Sequence, residues 1–347
     1  MNIFVFEFVT GGGFLGMDTP PSSLLGEGRA MVQALGSDFR SISAEGKVTV
    51  LRDPRFPMSI PGCQVVTVPN ATERDTVFCE LARQADWTVV IAPEFDGHLA
   101  DYYKRVHSAG GRILGPSSEF VEITSDKHRT ADALCRAGVP VVGGVRVQAG
   151  SLLPLDVNYP AVVKRIDGAG SADMRLVRTR DVAVQWGPVE FDARLEPFVP
   201  GLAVSVAVLC GVDDATALAP CHQRIAVDDD FHYLGGSLPL QDLHARRATR
   251  LGMAAVGSID GGFGYVGVDM VLDDKCSAES CSGDRVIEIN PRLTTSYVGL
   301  RAAYRQNLAR CMLALADGRP IELSTSTDAV EFDADGVVRS MAVSNGW

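Results

Sequence analysis

The run Arg285-Val286-Ile287-Glu288-Ile289-Asn290-Pro291-Arg292 decides how this chain is read. Val286, Ile287 and Ile289 favour a strand, and Pro291, with no N–H to give a ladder, ends it. Side chains alternate along a strand, so Glu288 and Asn290 are expected on one side and Ile287 and Ile289 on the other. Two hard oxygen donors side by side suit Mg²⁺. Upstream, Tyr265-Val266-Gly267-Val268-Asp269-Met270-Val271-Leu272 is a second apolar strand with a single acid. Asp269 beside Glu288 makes a two-carboxylate metal site on paired strands. A lone acid in a strand ordinarily faces water. Here the acids stand among apolar residues, where an unpaired charge is costly, which favours the metal.

Earlier stretches carry cations toward such a site. Tyr159-Pro160-Ala161-Val162-Val163-Lys164 is an apolar strand ending in lysine, followed by a loop containing Gly168, Gly170 and Ser171. A lysine closing a buried strand can neutralise phosphate oxygens while the loop covers them. The lysine precedes the glycines, so this is not a Walker loop. Lys127 opens a helix capped by Ser125-Asp126 and ended by Gly138 and Pro140. The helix dipole disfavours a cation at that end, so Lys127 gains from a nearby anion. Leu195-Glu196-Pro197-Phe198-Val199-Pro200-Gly201 is a Pro-flanked turn able to present fixed backbone groups to an aromatic ring. Ala203–Cys210 and Ala215–Ala226 pair through the turn at Gly211–Asp214. On the second of these strands, Arg224 either clamps a phosphoryl group or sits on a solvated face. Phe231–Ser237 reads as a loop over the reacting groups. Leu243–Val256 is an amphipathic helix, and Thr294, Thr295 and Ser296 open another that runs to about Leu315. Hydroxyls beside free backbone N–H groups suit a substrate carboxylate, so this is the expected acceptor site.

Taken in order, the two lysines, the turn and the metal strands resemble the ATP-grasp ligases, which join a carboxylate to an amine through an acyl phosphate. The resemblance implies a mixed α/β and α+β fold: an N-terminal parallel α/β lobe ahead of two lobes that close on ATP. Lys127, Lys164 and the loop of Gly168, Gly170 and Ser171 would meet the phosphates. Glu196 and the backbone around Phe198 and Val199 would meet adenine. Asp269, Glu288 and Asn290 would hold Mg²⁺ or Mn²⁺, with Arg224 and Arg292 compensating charge during transfer. Two departures stand out. Leu202-Ala203 occupies the place where many relatives keep an acid for the ribose hydroxyls, and Gly267 stands where some peptide-forming relatives carry arginine.

A narrower likeness lies in Phe6-Glu7-Phe8-Val9-Thr10-Gly11-Gly12-Gly13 and Asn290-Pro291-Arg292-Leu293-Thr294-Thr295-Ser296-Tyr297. These segments are similar to the tyramine–glutamate ligases of methanofuran synthesis and their methylofuran counterparts. That implies glutamate as the acid, tyrosine or tyramine as the amine, and Gly12 and Gly13 near the substrate. Alternatives are a dipeptide or D-alanine–D-alanine-like ligase, and an ATP-binding sensor or scaffold without turnover.

The first third alternates strand and helix. Strands are expected at Ile3–Phe8, Val48–Leu51, Gln64–Val68, Trp87–Ala92 and Arg112–Leu114, and helices at Leu24–Leu35, Arg74–Ala85 and Leu99–Ala109. This pattern gives a parallel sheet flanked by helices, with ligands beyond the carboxyl ends of its strands. Glu7, Glu94 and Asp96 are then weaker candidates for substrate contact. The expected divisions are 1–115 for this lobe, 116–195 and 196–320 for the two closing lobes, and 321–347 for a tail of short strands without chemistry.

Bulk properties exclude other classes. The 347 residues are 46% hydrophobic and carry a net charge of −11, against the clustered cations that nucleic acid or an anionic membrane requires. No apolar run approaches the ~20 residues of a membrane helix, and Ile3–Phe8 lacks a signal peptide's basic leader, so a cytoplasmic protein is expected. The expected partners are small amino-acid substrates, with room for a homodimer. Of eight cysteines only Cys276 and Cys281 are close in sequence, and no second pair completes a zinc set.

Overall fold

An unbroken apolar run at the start of the chain becomes β1 (Asn2–Glu7), the interior strand of a parallel sheet buried on both faces. Its neighbours are β2 (Lys47–Arg52), β3 (Gln64–Thr67) and β4 (Trp87–Ile91), in the order β3-β2-β1-β4. Three helices cover this sheet: α1 (Ser22–Ile42), α2 (Ala71–Gln84) and α3 (His98–Ser108). The computed structural model describes residues 1–170, 173–326 and 328–341. Ser171 lies outside the described residues.

Two short helices, α4 (Ser118–Thr124) and α5 (Lys127–Arg136), lead out of this lobe. Asp126 caps α5 by accepting from the backbone N–H groups of His128 and Arg129. A small antiparallel lobe follows, with β5 (Val145–Val147), β6 (Ala161–Arg165), β7 (Met174–Val177) and β8 (Ala193–Pro197) in the order β5-β8-β6-β7. It carries α6 (Arg180–Gln185) and a core of its own built on Val147, Leu153, Val163, Val177 and Leu195.

The remainder is one eight-stranded sheet. It contains β9 (Leu202–Cys210), β10 (Ala215–Ala217), β11 (Cys221–Val227), β12 (Phe231–Leu238), β13 (Gly264–Leu272), β14 (Arg285–Asn290), β15 (Ala329–Asp333) and β16 (Val338–Met341). Its helices are α7 (Asp242–Gly257), α8 (Ser296–Ala303) and α9 (Leu308–Ala316). The sheet and the N-terminal lobe share one core, in which Ile3, Val5, Met31 and Leu35 join Leu209, Tyr265, Tyr297 and Phe332. Those two parts therefore form one wall of a cleft, and the separately cored antiparallel lobe forms the other.

Several expectations need correction. Within the segment expected as a tail, β15 pairs with β12 inside the sheet. Phe231–Ser237 is strand β12 rather than a loop, paired with β11 on one side. The helix after Ser296 breaks into two between Ala303 and Leu308. Ile113 makes only an isolated bridge to Thr88. Strict alternation also fails on β14. Asp269 faces Glu288 and Met270 faces Val286, so Ile287 is an unpaired bulge residue. Ile287 therefore joins Glu288 and Asn290 in lining the cleft, instead of facing away.

Candidate active site

The cleft between the walls has a volume of about 1020 Å³ and takes residues from all three lobes. At its centre Asp269 on β13 stands directly across the ladder from Glu288 on β14, and Gly267 stands opposite Asn290. The Asp269 carboxylate is held by amides: Gln223 Nε2 donates to Oδ1 at 2.9 Å, and Asn290 Nδ2 donates to Oδ2 at 2.9 Å. Burial, and then the neighbouring Glu288 charge, push Asp269 up to about 7. Burial acts to raise Glu288 as well, but Lys127, Lys164 and Arg292 outweigh it and hold Glu288 below its ordinary value. The two adjacent carboxylates are thus pushed in opposite directions, Asp269 up and Glu288 down.

Each cation of the site is matched by a carboxylate. Lys127 Nζ lies 2.7 Å from Glu288 Oε2 and donates to the Gly168 carbonyl at 2.5 Å, tying the small-residue loop to β14. Arg292 makes a two-pronged contact with Glu94, Nε to Oε1 at 2.9 Å and Nη2 to Oε2 at 3.0 Å. Glu94 follows β4, so this pair brings the carboxyl end of the parallel sheet to the end of β14. Lys164 is 2% exposed, and its ammonium lies 2.5 Å from Glu196 Oε1. The two form an ion pair buried in the cleft wall. Glu196 Oε2 accepts from Arg194 Nε at 2.9 Å.

Lys164 and Arg292 both line the cleft, and two cations there fit a polyanion such as a nucleotide's phosphates. Asp269, Glu288 and Asn290 fit a hard divalent cation by donor type. Among the described residues no group of three or more His, Cys, Asp or Glu could hold a metal, so this set of two carboxylates and one amide is the candidate. Phe198 and Val199 also line the cleft, with Val142, Val162 and Ile287. The Phe198 N–H is given to the Pro160 carbonyl at 2.9 Å. Both Glu196 oxygens face cations, and Glu196 lines the cleft beside Phe198 and Val199.

Thr294, Thr295 and Ser296 all line the cleft. Thr294 and Ser296 share a hydroxyl triad with Tyr265, at 3.0 Å and 3.1 Å from its OH, while Thr295 Oγ1 donates to Glu27 Oε2 at 2.9 Å. Gly267 is explained by this arrangement, since a Cβ there would lie 2.6 Å from Thr294 Cγ2 and an arginine has no room.

Other expected site residues lie elsewhere. Arg224 points to the opposite face of β11, where it binds Glu331 at 2.6 Å, Asp333 at 2.5 Å and the Phe332 carbonyl at 2.9 Å. It fixes β15 to the sheet and cannot clamp a phosphoryl group in the cleft. Gly12 and Gly13 also fall outside the lining. The Gly12 carbonyl accepts from Arg74 at 2.8 Å, and Gly13 sits against the Phe8 ring. Gly168 is buried behind Lys127, whereas Gly170 reaches the cleft. Asp96 is not a substrate contact: it binds Arg165 at 2.5 Å, and its N–H donates to Asp167 at 2.9 Å, anchoring the base of the loop. Sequence reasoning missed Gln223 and Glu27. Gln223 adjoins Arg224, and only the strand register tells which of them faces inward. Glu27 is one polar residue among many on a helix.

The chain matches two family descriptions. Residues 124–296 match the ATP-grasp domain and residues 46–121 the pre ATP-grasp 3 domain. It is 24% identical over 336 residues to the tyramine–L-glutamate ligase of Methanocaldococcus jannaschii, covering 95% of this chain and 94% of that protein. The tyramine–L-glutamate ligase of Methanocaldococcus fervens is 23% identical, with 95% and 98% covered. The crystal structure of an ATP-grasp superfamily protein from Archaeoglobus fulgidus superposes with a TM-score of 0.71 at 26% identity, covering 95% of this chain and 92% of that one.

Proposed function

This chain belongs to the ATP-grasp family, and from that membership we propose that it is a carboxylate–amine ligase joining glutamate to tyramine or tyrosine in methylofuran-type cofactor synthesis. The observation that carries the reading is Lys164. Its buried ammonium, paired with Glu196, lines the same cleft as Glu288 and Asp269. A ligase of this kind needs a cation held out of water for a phosphate, opposite acids held for a metal.

In the proposed reaction a carboxylate oxygen of the acid takes the terminal phosphoryl group of ATP. The amine nitrogen then forms the C–N bond as phosphate leaves. Mg²⁺ or Mn²⁺, when bound, supplies charge to the phosphate oxygens. Asp269, Glu288 and Asn290 would hold it, and Gln223 keeps Asp269 oriented. Lys164 and Lys127 offset phosphate charge, and Lys127 draws the backbone of the covering loop down through Gly168. Arg292 stands at the junction of the lobes, where Glu94 fixes the plane of its guanidinium. Val142, Val162 and Ile287 exclude water from the base. No side-chain nucleophile is required.

The test is phosphate release with Mg·ATP over a panel of amino acids, tyrosine and tyramine, with mass detection of the products. Release that appears only with an acid–amine pair, together with an amide of the summed mass less water, supports the ligase. Nucleotide binding with no release under any pair would leave only the sensor reading.

The ribose end gives a further expected result. Ala203, where the family resemblance implies an acid for the ribose, lines the cleft and offers no carboxylate to the 2′-hydroxyl. 2′-DeoxyATP should therefore support turnover within about 3-fold of ATP, since one lost neutral hydrogen bond is worth no more than about a decade. A discrimination beyond about 30-fold in steady-state kcat/KM would show that another group reads the ribose.

A further inference from the structure

The two walls of the cleft are joined by charges that the phosphate chemistry does not use. The antiparallel lobe has a core of its own, so it can move as a unit against the other wall. Three of its arginines reach across to aspartates. Arg165 of β6 lies 2.5 Å from Asp96, which follows β4 in the parallel lobe. Toward the eight-stranded sheet, Arg175 of β7 meets Asp230 at 3.1 Å, and Arg178, just after β7, meets Asp229 at 3.2 Å. In each pair the arginine stands on the small lobe and the aspartate on the facing wall.

Asp228-Asp229-Asp230 joins β11 to β12, and the backbone of this run makes the same crossing. The Leu176 N–H donates to the Asp229 carbonyl at 2.8 Å, and Arg178 Nη2 donates to the Asp228 carbonyl at 2.5 Å. Asp228 Oδ1 accepts from the Asp230 N–H at 2.8 Å, which fixes the turn. The Arg175 guanidinium lies over the Trp186 ring, 4.9 Å from its centroid, and is held in place for Asp230. Met174, Arg175, Asp230 and Phe231 all line the cleft, so this clasp borders it. Three adjacent carboxylates repel one another, and the two arginines relieve that repulsion only while the walls are together. Arg178 and Asp229 are 56% and 75% exposed, so their pair is screened by salt and contributes little to folding.

Resting on the ligase reading, we propose that Arg175, Arg178, Asp229 and Asp230 are positioning residues that hold the cleft closed while the acyl phosphate awaits the amine. That intermediate has two fates. When the amine nitrogen attacks the acyl carbon, the C–N bond forms as the C–O bond to phosphate breaks. When water attacks the same carbon, a C–O bond forms instead and a proton of the water leaves with the phosphate. The acid is then returned, and one ATP has been consumed without an amide. A closed site that excludes water favours the first fate. The clasp touches no reacting atom and acts through closure alone.

The experiment compares the full chain with Arg178→Glu, with Asp229→Arg and with the two combined, using Mg·ATP and the acid–amine pair that yields amide. ADP and amide are measured in the same sample. The unaltered protein should form about one ADP per amide. Arg178→Glu sets another acid beside the three aspartates. It should raise the ratio to about 3 or more and lower kcat/KM for ATP by about 3- to 10-fold. Asp229→Arg should move both quantities in the same direction. The combined exchange restores an opposite pair and should return the ratio to under about 1.5. Added NaCl should raise the ratio in the unaltered protein and lower it in Arg178→Glu, because screening weakens attraction and repulsion alike. Unfolding midpoints should agree within about 3 °C across the set, as befits exposed positions. A ratio that stays near one in Arg178→Glu overturns the proposal, and so does a raised ratio that the exchange fails to restore. Hydroxylamine separates the two levels of inference. If no pair yields amide and the unaltered protein with glutamate and Mg·ATP forms no hydroxamate, the ligase reading fails and this proposal falls with it. If amide forms and the ratio does not move in Arg178→Glu, only the clasp fails.

Discussion

Glu288→Gln is expected to lower turnover by on the order of 10³-fold while the protein still folds, because it removes a metal-side charge that the transfer needs throughout. The same change also unpairs Lys127. That ammonium keeps the Gly168 carbonyl but loses its carboxylate, with both side chains largely buried. Glutamine still offers a neutral oxygen, so the stability loss should be about 1–3 kcal/mol rather than that of an abandoned charge. Phosphate release and urea unfolding, measured on one preparation, check both parts. Normal turnover in this variant would remove the metal assignment.

Asp269→Asn should match that loss of turnover to within about tenfold, yet move stability the opposite way. Burial and Glu288 raise the Asp269 carboxyl to about 7 in the folded protein, above its ordinary 3.8. Between those values the folded state binds the extra proton, so the cation-free protein loses stability as pH rises from about 4 toward 7. Asparagine carries no charge to bury. It retains the contact from Gln223 but gives up the acceptor that Asn290 uses, which trims the gain. Unfolding in chelator at pH 8 should find the variant more stable by about 1–2 kcal/mol, with the gap closing by about pH 5. A variant less stable than the parent at both pH values would mean that the two carboxylates do not repel each other.

The features legible in the sequence are those set by residues near one another along the chain. The strand ending in Glu288, Asn290 and Pro291, the acid in the middle of β13, and the lysine closing β6 before a small-residue loop all declare themselves locally, and each is a cleft residue or bounds the cleft. Arg224 was misplaced because its partners stand 107 and 109 residues further on, in a strand with no strong signal of its own. Gly12 and Gly13 suggested a cradle, but a glycine required by the Phe8 ring looks no different in sequence from one required by a ligand. The inward turn of Ile287 depends on a one-residue mismatch between two strands, which neither strand encodes alone. Glu27 meets Thr295 across 268 residues, through the shared core of the first and last lobes.

The pairing of Lys127, Lys164 and Arg292 with carboxylates has a kinetic consequence. A bare row of cations would draw a trianionic visitor from afar, and dissolved salt would weaken that pull. In this cleft the opposite charges sit side by side and cancel within a few ångströms, while the whole body bears an excess of eleven negative charges. Long-range guidance is therefore missing, and a nucleotide is recognised only on arrival, when its oxygens compete with acids already in place.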